Sequence, residues 1–251
     1  MLSGKQREIR ERHELFLEVG RTQLLEHGYQ SLRIADIAET TGFSKVTVYQ
    51  RFSSKEELVV NLGERCREKL YAALKRGAQF PGRPRERMLA LAEICRYHLR
   101  HYSDDMRILG IITAEGLLEK VSEEQRSRME ALDARIFDLV LEIVHDAIAC
   151  GDLVLPQDST AQTLSLALWA LADGYFSATR GSAPIDKVGT ADPMEELMTS
   201  GRHLLDGYGW QPLSTECDYK ETRERIRREV LSSHASEEVS DGDDGLEGAH
   251  E

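Results

Sequence analysis

Ile34-Ala35-Asp36-Ile37-Ala38-Glu39-Thr40-Thr41-Gly42-Phe43-Ser44-Lys45-Val46-Thr47-Val48-Tyr49-Gln50-Arg51-Phe52 is the stretch that decides how this chain folds. Ile34, Ile37 and Ala38 share one face of a short helix, by the 3.6-residue period. Gly42 can take the left-handed conformation that ends it. Ser44 is placed to cap a second helix, over Lys45–Phe52, and Val48 points that helix back at the first. Small Ala38 lets the two helices approach. This is the layout of a helix-turn-helix.

Such a unit leaves one face of its second helix free. Here that face would carry Lys45, Thr47, Tyr49 and Gln50. Gln can bond adenine through two atoms, and Thr can touch a thymine methyl. Ser44, Lys45, Tyr49 and Lys55 are of the types that hold phosphates. A helix, a glycine and a helix are also common in ordinary helical proteins, so spacing alone leaves both readings open.

Working outward, almost every segment has helical periodicity. A helix over Gln6–Glu26 carries Phe16, Gly20 and Leu24 as a stripe and stops at Gly28. Ser54-Lys55-Glu56-Glu57 is a capping box opening a helix toward Leu74. Gln79-Phe80-Pro81-Gly82-Arg83-Pro84 breaks the pattern and reads as the boundary between a small N-terminal domain and a larger helical one. Helices then follow at about 85–101, 105–118, from the capping box Ser122-Glu123-Glu124-Gln125 to Cys150-Gly151, at 159–179, and from Asp192-Pro193 to Gly207. Residues 217–231 form a charged helix in which Glu224 and Arg228 are spaced for an i,i+4 pair. The fold class is therefore all-α.

The 251 residues carry a net charge of −12. That excludes a protein coating DNA indiscriminately, but not one with a single attractive face. Residues 1–55 hold nine Lys/Arg against seven Asp/Glu, whereas residues 232–251 hold seven acids and no Lys or Arg. The acidic tail is expected to be disordered. Cys66, Cys95, Cys150 and Cys217 form no CxxC or metal knuckle, so reduced thiols in a cytoplasm are expected. The N-terminus has no apolar signal region and no run reaches membrane-spanning length. His98, His101 and Glu115 make only a weak metal pattern, and no GxSxG, P-loop or GxGxxG occurs, so an enzyme is not expected.

The motifs Gly28-Tyr29, Ile34-Ala35-Asp36-Ile37-Ala38, Gly42-Phe43-Ser44-Lys45, Val48-Tyr49 and Phe52-Ser53-Ser54-Lys55-Glu56-Glu57-Leu58, in that order, resemble the DNA-binding domain of the TetR (tetracycline repressor) family. The resemblance covers about residues 7–62. It implies an N-terminal helix-turn-helix DNA-binding domain (1–62), then a larger helical bundle for ligand binding and dimerisation (63–212), with a charged helix and acidic tail beyond (213–251). It implies a transcriptional regulator, a repressor that binds a palindromic operator as a homodimer and is released by a small-molecule effector. No other cofactor, metal or membrane partner is implied. Lys45, Thr47, Tyr49 and Gln50 become recognition contacts and Lys55 a phosphate contact.

The chain departs from the family pattern at Leu32-Arg33, where a Ser or Thr usually caps the second helix. Phosphate contact there would pass to Arg33 or Ser31. Val46 stands where a small residue is common. Arg51 stands where an aromatic is usual and could add a backbone contact. The resemblance also suggests that helices 159–179 and 193–208 form a four-helix dimer interface; completion of the monomer core is the alternative. Effector-contacting candidates are polar or aromatic residues on apolar helices: Tyr97, His98, His101, Met106, Thr113, Glu115, Phe137, Trp169, Asp173 and Phe176. For each, ordinary core packing or a satisfied internal hydrogen bond is the favoured role. If Glu115 and Asp173 were buried in one cavity, a cationic ligand would follow; if Arg96 or His98 dominated, an anionic one would. A protein that keeps the fold but has lost DNA binding is the rival reading.

Overall fold

The computed structural model describes residues 4–179 and 192–231. The acidic tail, 232–251, lies outside the described residues. The described chain is helical throughout: α1 (Gly4–His27), α2 (Ile34–Thr41), α3 (Lys45–Tyr49), α4 (Lys55–Ala78), α5 (Pro84–His101), α6 (Ser103–Ala114), a 3-10 turn (Leu117–Glu119), α7 (Glu123–Ala149), α8 (Ala161–Thr179), α9 (Pro193–Gly207) and α10 (Tyr219–Ile226), which runs into a π turn at Arg227–Leu231.

Two compact units divide the chain, and they do not follow chain order. One comprises residues 1–69 and 102–133, the other 70–101 and 134–251. The first therefore joins α1, α2, α3 and the start of α4 to α6 and the start of α7.

In this first unit the stripe of α1 is buried as its spacing requires, at Phe16, Leu17, Gly20 and Leu24. Gly20 is small for a reason that periodicity did not reveal. A Cβ there would stand 2.7 Å from Leu58 Cδ2 and 3.4 Å from Ile37 Cδ1. The absent side chain lets α1 close on α2 and α4. Ile37, Val48, Phe52 and Leu58 are wholly buried around that contact. Gly28, at φ 78°, ends α1 in the left-handed conformation, and its N–H donates to the Leu24 carbonyl at 3.0 Å.

The caps follow the sequence in part. Ser54 Oγ accepts from the Glu57 N–H at 3.1 Å, but the Glu57 carboxylate reaches one residue further back than a capping box predicts. It accepts from the Ser53 N–H at 2.7 Å and the Ser53 hydroxyl at 2.6 Å. Ser122 Oγ accepts from the Gln125 N–H at 3.2 Å. The Gln125 side chain does not turn back, being donated instead to α4.

The second unit is built on one apolar cluster. Leu74, Phe80, Leu91, Ile94, Ile143, Val144, Leu164 and Leu205 meet there. Trp210, Ile226, Val230 and Leu231 belong to the same cluster, so the charged C-terminal segment buries an apolar edge. Spacing points to Glu224 and Arg228; the structure pairs Arg225 with Glu229 at 3.6 Å, and Arg228 also reaches Glu229 at 3.4 Å. Arg223 explains the attachment: it donates to Glu93 on α5 at 2.5 Å and to both oxygens of Glu195 on α9 at 2.7 and 2.9 Å. Asp192 caps α9 through the Met194 N–H at 3.1 Å, as its position before Pro193 predicts.

Candidate nucleic-acid interface

The site is assembled from α2, the turn and α3. Gly42 takes φ 72°, and its N–H donates to the Glu39 carbonyl at 3.3 Å, which closes α2. Ser44 is extended (φ −66°, ψ 147°), and its Oγ accepts from the Thr47 N–H at 3.1 Å. The Ser44 and Thr47 hydroxyls lie 2.8 Å apart, so each holds the other's rotamer. The α-helix stops at Tyr49, but Phe52 N–H still donates to the Val48 carbonyl at 2.9 Å. Helical bonding thus reaches Phe52, although the regular helix is shorter than expected.

Val48 is the pivot, with no exposed surface. One turn of helix to either side, Lys45, Val46, Tyr49, Gln50 and Arg51 face outward. Tyr49 is 51% exposed and Val46 66% exposed. The sequence treated Val46 only as a departure. Its position beside Lys45 makes it an apolar surface of the size that meets a thymine methyl.

Lys55 is held differently. Its Nζ donates to the Tyr29 carbonyl at 3.0 Å and lies 4.1 Å from the centre of the Tyr29 ring. Tyr29 in turn donates to Glu56 Oε1 at 2.6 Å. Lys55 therefore presents two remaining N–H donors from a fixed corner at the start of α4. Burial, and then the Glu56 carboxylate, push the Tyr29 hydroxyl far above its ordinary pKa of 10.0, so it stays a donor. Arg33 precedes α2 in extended conformation and is exposed, with no cap bond from its side chain. Ser31 is exposed nearby in the chain.

Sequence reasoning missed His13. The Arg51 Nε–H donates to His13 Nδ1 at 2.6 Å, and the His13 ring stacks on Phe52 at 5.1 Å. Arg12 lies with its guanidinium carbon 5.1 Å from the Phe43 ring, at the other end of α3. Nothing in a linear pattern links His13 to Arg51, 38 residues away.

The effector candidates divide between the units. Met106, Thr113 and Glu115 belong to the first; Tyr97, His98, His101, Phe137, Trp169, Asp173 and Phe176 belong to the second. Phe137 and Trp169 meet at 6.1 Å, and Tyr97 and His101 at 4.2 Å. His98 is buried, with Nδ1 3.2 Å from the Ile94 carbonyl. The two carboxylates singled out in the sequence are not buried. Asp173 is exposed on α8, and Glu115 is half-buried, with both oxygens 3.3 Å from Gln30 Nε2. The buried acids among the described residues are Glu93, Asp105 and Asp152, which the sequence did not distinguish. Their partners, Arg223, Arg21 and Arg83, are 130, 84 and 69 residues away. Among the described residues no three His, Cys, Asp or Glu side chains converge to hold a metal ion.

The family profile of bacterial regulatory proteins of the tetR family matches residues 16–62, the segment just described. An uncharacterised helix-turn-helix transcriptional regulator of Mycobacterium tuberculosis is 30% identical over 156 residues, covering 61% of this chain and 68% of that protein. The helix-turn-helix transcriptional activator FasR of Mycolicibacterium smegmatis is 27% identical over 117 residues, covering 46% of this chain and 52% of its own. The crystal structure of a TetR/AcrR-family regulator from Thermobifida fusca superposes with a TM-score of 0.59 at 24% identity, over 79% of this chain and 98% of that one. The chain belongs to the TetR family of transcriptional regulators. It is a DNA-binding regulator with an all-α fold. No helix among the described residues is long and apolar enough to cross a membrane.

Proposed function

We propose that this regulator binds a palindromic operator as a homodimer in the cytoplasm, acts as a repressor and not as an enzyme, and leaves the DNA when a small molecule enters its helical bundle. Residues 1–62 read the DNA and residues 63–212 carry the effector and dimer functions. The observation that carries this reading is the outward face of α3. Lys45 and Tyr49 stand exposed on a helix locked from behind by Val48, with Thr47 half-buried between them, Gln50 exposed at the helix end and Ser44 fixing its start. A rigid helix with a solvated polar face is what a major groove admits. Lys55 and Arg33 supply phosphate contacts at the flanks.

The dimer reading is supported by α8, on which Leu166 is 58% exposed and Ala170 and Gly174 are bare on the same face. Tyr175 on α8 meets Ser200 on α9 at 3.1 Å, which joins the two helices into one surface. Met194, Leu197 and Leu205 of α9 are buried within the protomer, so α8 supplies the larger apolar share. Two symmetric half-sites require such a two-fold protein.

Fluorescence binding to duplex DNA flanking its own gene tests the proposal. Salt-sensitive, sequence-selective binding that Tyr49→Ala and Gln50→Ala weaken is expected; equal affinity for any duplex, or none, refutes it. The description of FasR as an activator favours a second reading, in which the same docking recruits transcription. A reporter driven by the bound promoter separates the two by the sign of its response.

A further inference from the structure

The His13–Arg51 pair lies at the edge of the α3 face. We infer that Arg51 is a phosphate-binding residue of the DNA interface and that neutral His13 is the positioning residue that aims it. The inference rests on the DNA-binding reading of α3.

Three observations carry it. First, Arg51 follows Gln50 directly, is exposed, and has its main chain held by the Val48 carbonyl at 3.0 Å. Second, only its Nε is engaged, with His13 Nδ1 as acceptor. Among the described residues nothing accepts from its two Nη groups. Those form the fork that suits a phosphate. Third, the acceptor is a neutral nitrogen. A carboxylate would cancel the Arg51 charge; an imidazole orients the guanidinium and leaves its full charge available. The nearby acids are taken elsewhere: Arg65 holds Glu14 at 3.3 Å and Glu18 at 2.9 Å, and Arg12 holds Glu8 at 2.7 Å.

His13 is itself fixed by its stack on Phe52, which is wholly buried. Its environment keeps it neutral. Burial, then Arg51 in the turn after α3, lower its pKa from 6.5; Glu14 on α1 raises it, and Arg65 on α4 lowers it. Neutral His13 with Nδ1 accepting must carry its proton on Nε2. Once protonated, it can no longer accept from Arg51, and the aim is lost.

The test uses the whole chain and a mixed-sequence duplex, which reports phosphate contacts without knowledge of the operator. Arg51→Gln should weaken binding by about tenfold and lower the log–log salt slope by about 0.9 for each Arg51 that touches a phosphate. Arg51→Lys keeps the charge but not the Nε donor, so it should keep the slope. His13→Phe retains the stack and removes the acceptor. In that background the cost of Arg51→Gln should shrink toward unity. In the native protein the same cost should shrink as pH falls from about 7.5 to 5, whereas in His13→Gln, whose amide oxygen accepts without titrating, it should stay constant. An unchanged salt slope in Arg51→Gln overturns the inference, as does an equal cost with and without His13. If Arg51→Gln fails to fold, the pH dependence of Arg51→Lys relative to the native protein decides: constancy supports the lost aim, and a native-like pH response overturns it. Failure of the native chain to bind any duplex would refute the DNA-binding reading itself, a result distinct from either.

Discussion

Gln125 on α7 donates its side-chain N–H to the main-chain carbonyl of Glu57 on α4, at 2.9 Å, with only 2% of Gln125 exposed. That carbonyl also accepts from Asn61 Nδ2 at 2.8 Å. The bond joins a late part of the chain to the helix that backs the DNA-reading segment. Gln125→Leu should destabilise the first unit by about 1–2 kcal/mol, because the carbonyl keeps Asn61 but loses its second partner. Denaturant unfolding followed by helical signal checks this; a change within error would make the bond incidental.

Gly20→Ala should cost about 1–3 kcal/mol by overpacking, since the new methyl would meet Leu58 Cδ2 at 2.7 Å. Leu58→Val in the same chain should recover part of the loss by opening space there. The double variant's melting temperature decides: no recovery would mean that the methyl is resisted by backbone rather than by Leu58.

How much of this was legible in the sequence depends on distance along the chain. Gly42 and Ser44 were readable because a left-handed stop and an N-cap are settled within one helical turn. The bounds of α2 were readable for the same reason. Glu57 was read as closing a box on Ser54, yet it turns to Ser53, because two donors there offer more than one. His13–Arg51, Gln125–Glu57 and Arg223–Glu93 were not legible. Each joins a local helix to a remote one, and composition does not say which faces will meet. Burial of Asp173 was illegible for another reason: polar character on an apolar helix marked it, but its exposure is decided by the rotation of α8.

Tyr29→Phe removes the hydroxyl that donates to Glu56. Burial raises the Glu56 pKa, but the bonds from Tyr29, its own backbone N–H and Ser54, together with Lys55, outweigh it, and the net shift is below 4.5. A carboxylate lowered on folding stabilises above its unfolded pKa and loses that contribution as pH falls through the folded value. The native protein should therefore lose stability below about pH 4.5, and Tyr29→Phe should flatten that acid limb. Near neutrality the variant should cost about 1 kcal/mol, given the partial exposure of Glu56. Parallel acid limbs would contradict this.

Ser44→Ala should cost about 1 kcal/mol through loss of the cap at the Thr47 N–H, and should also free the Thr47 hydroxyl. DNA affinity should fall while the salt slope changes little if Ser44 acts by ordering α3. A slope reduced by about one would instead make it a phosphate contact.

Glu93→Ala leaves Arg96, Arg223 and Arg227 facing one another without the buried carboxylate they surround. A loss of about 3–5 kcal/mol is expected, since one partner of a buried ion cluster is gone. Thermal unfolding measures it. A near-native midpoint would show that the arginines relax into solvent at little cost.

The first unit draws on residues 102–133 as well as 1–69. Ile112 and Met129 close over Gly63, Asp105 receives Arg21 at 3.3 Å, and Gln125 reaches the Glu57 carbonyl. During synthesis, then, the DNA-reading helices emerge long before the packing that completes their unit. Until residue 133 has left the ribosome, the nascent chain holds a recognition helix on an unfinished base. A fragment cut after the family-matched segment would remain in that same state.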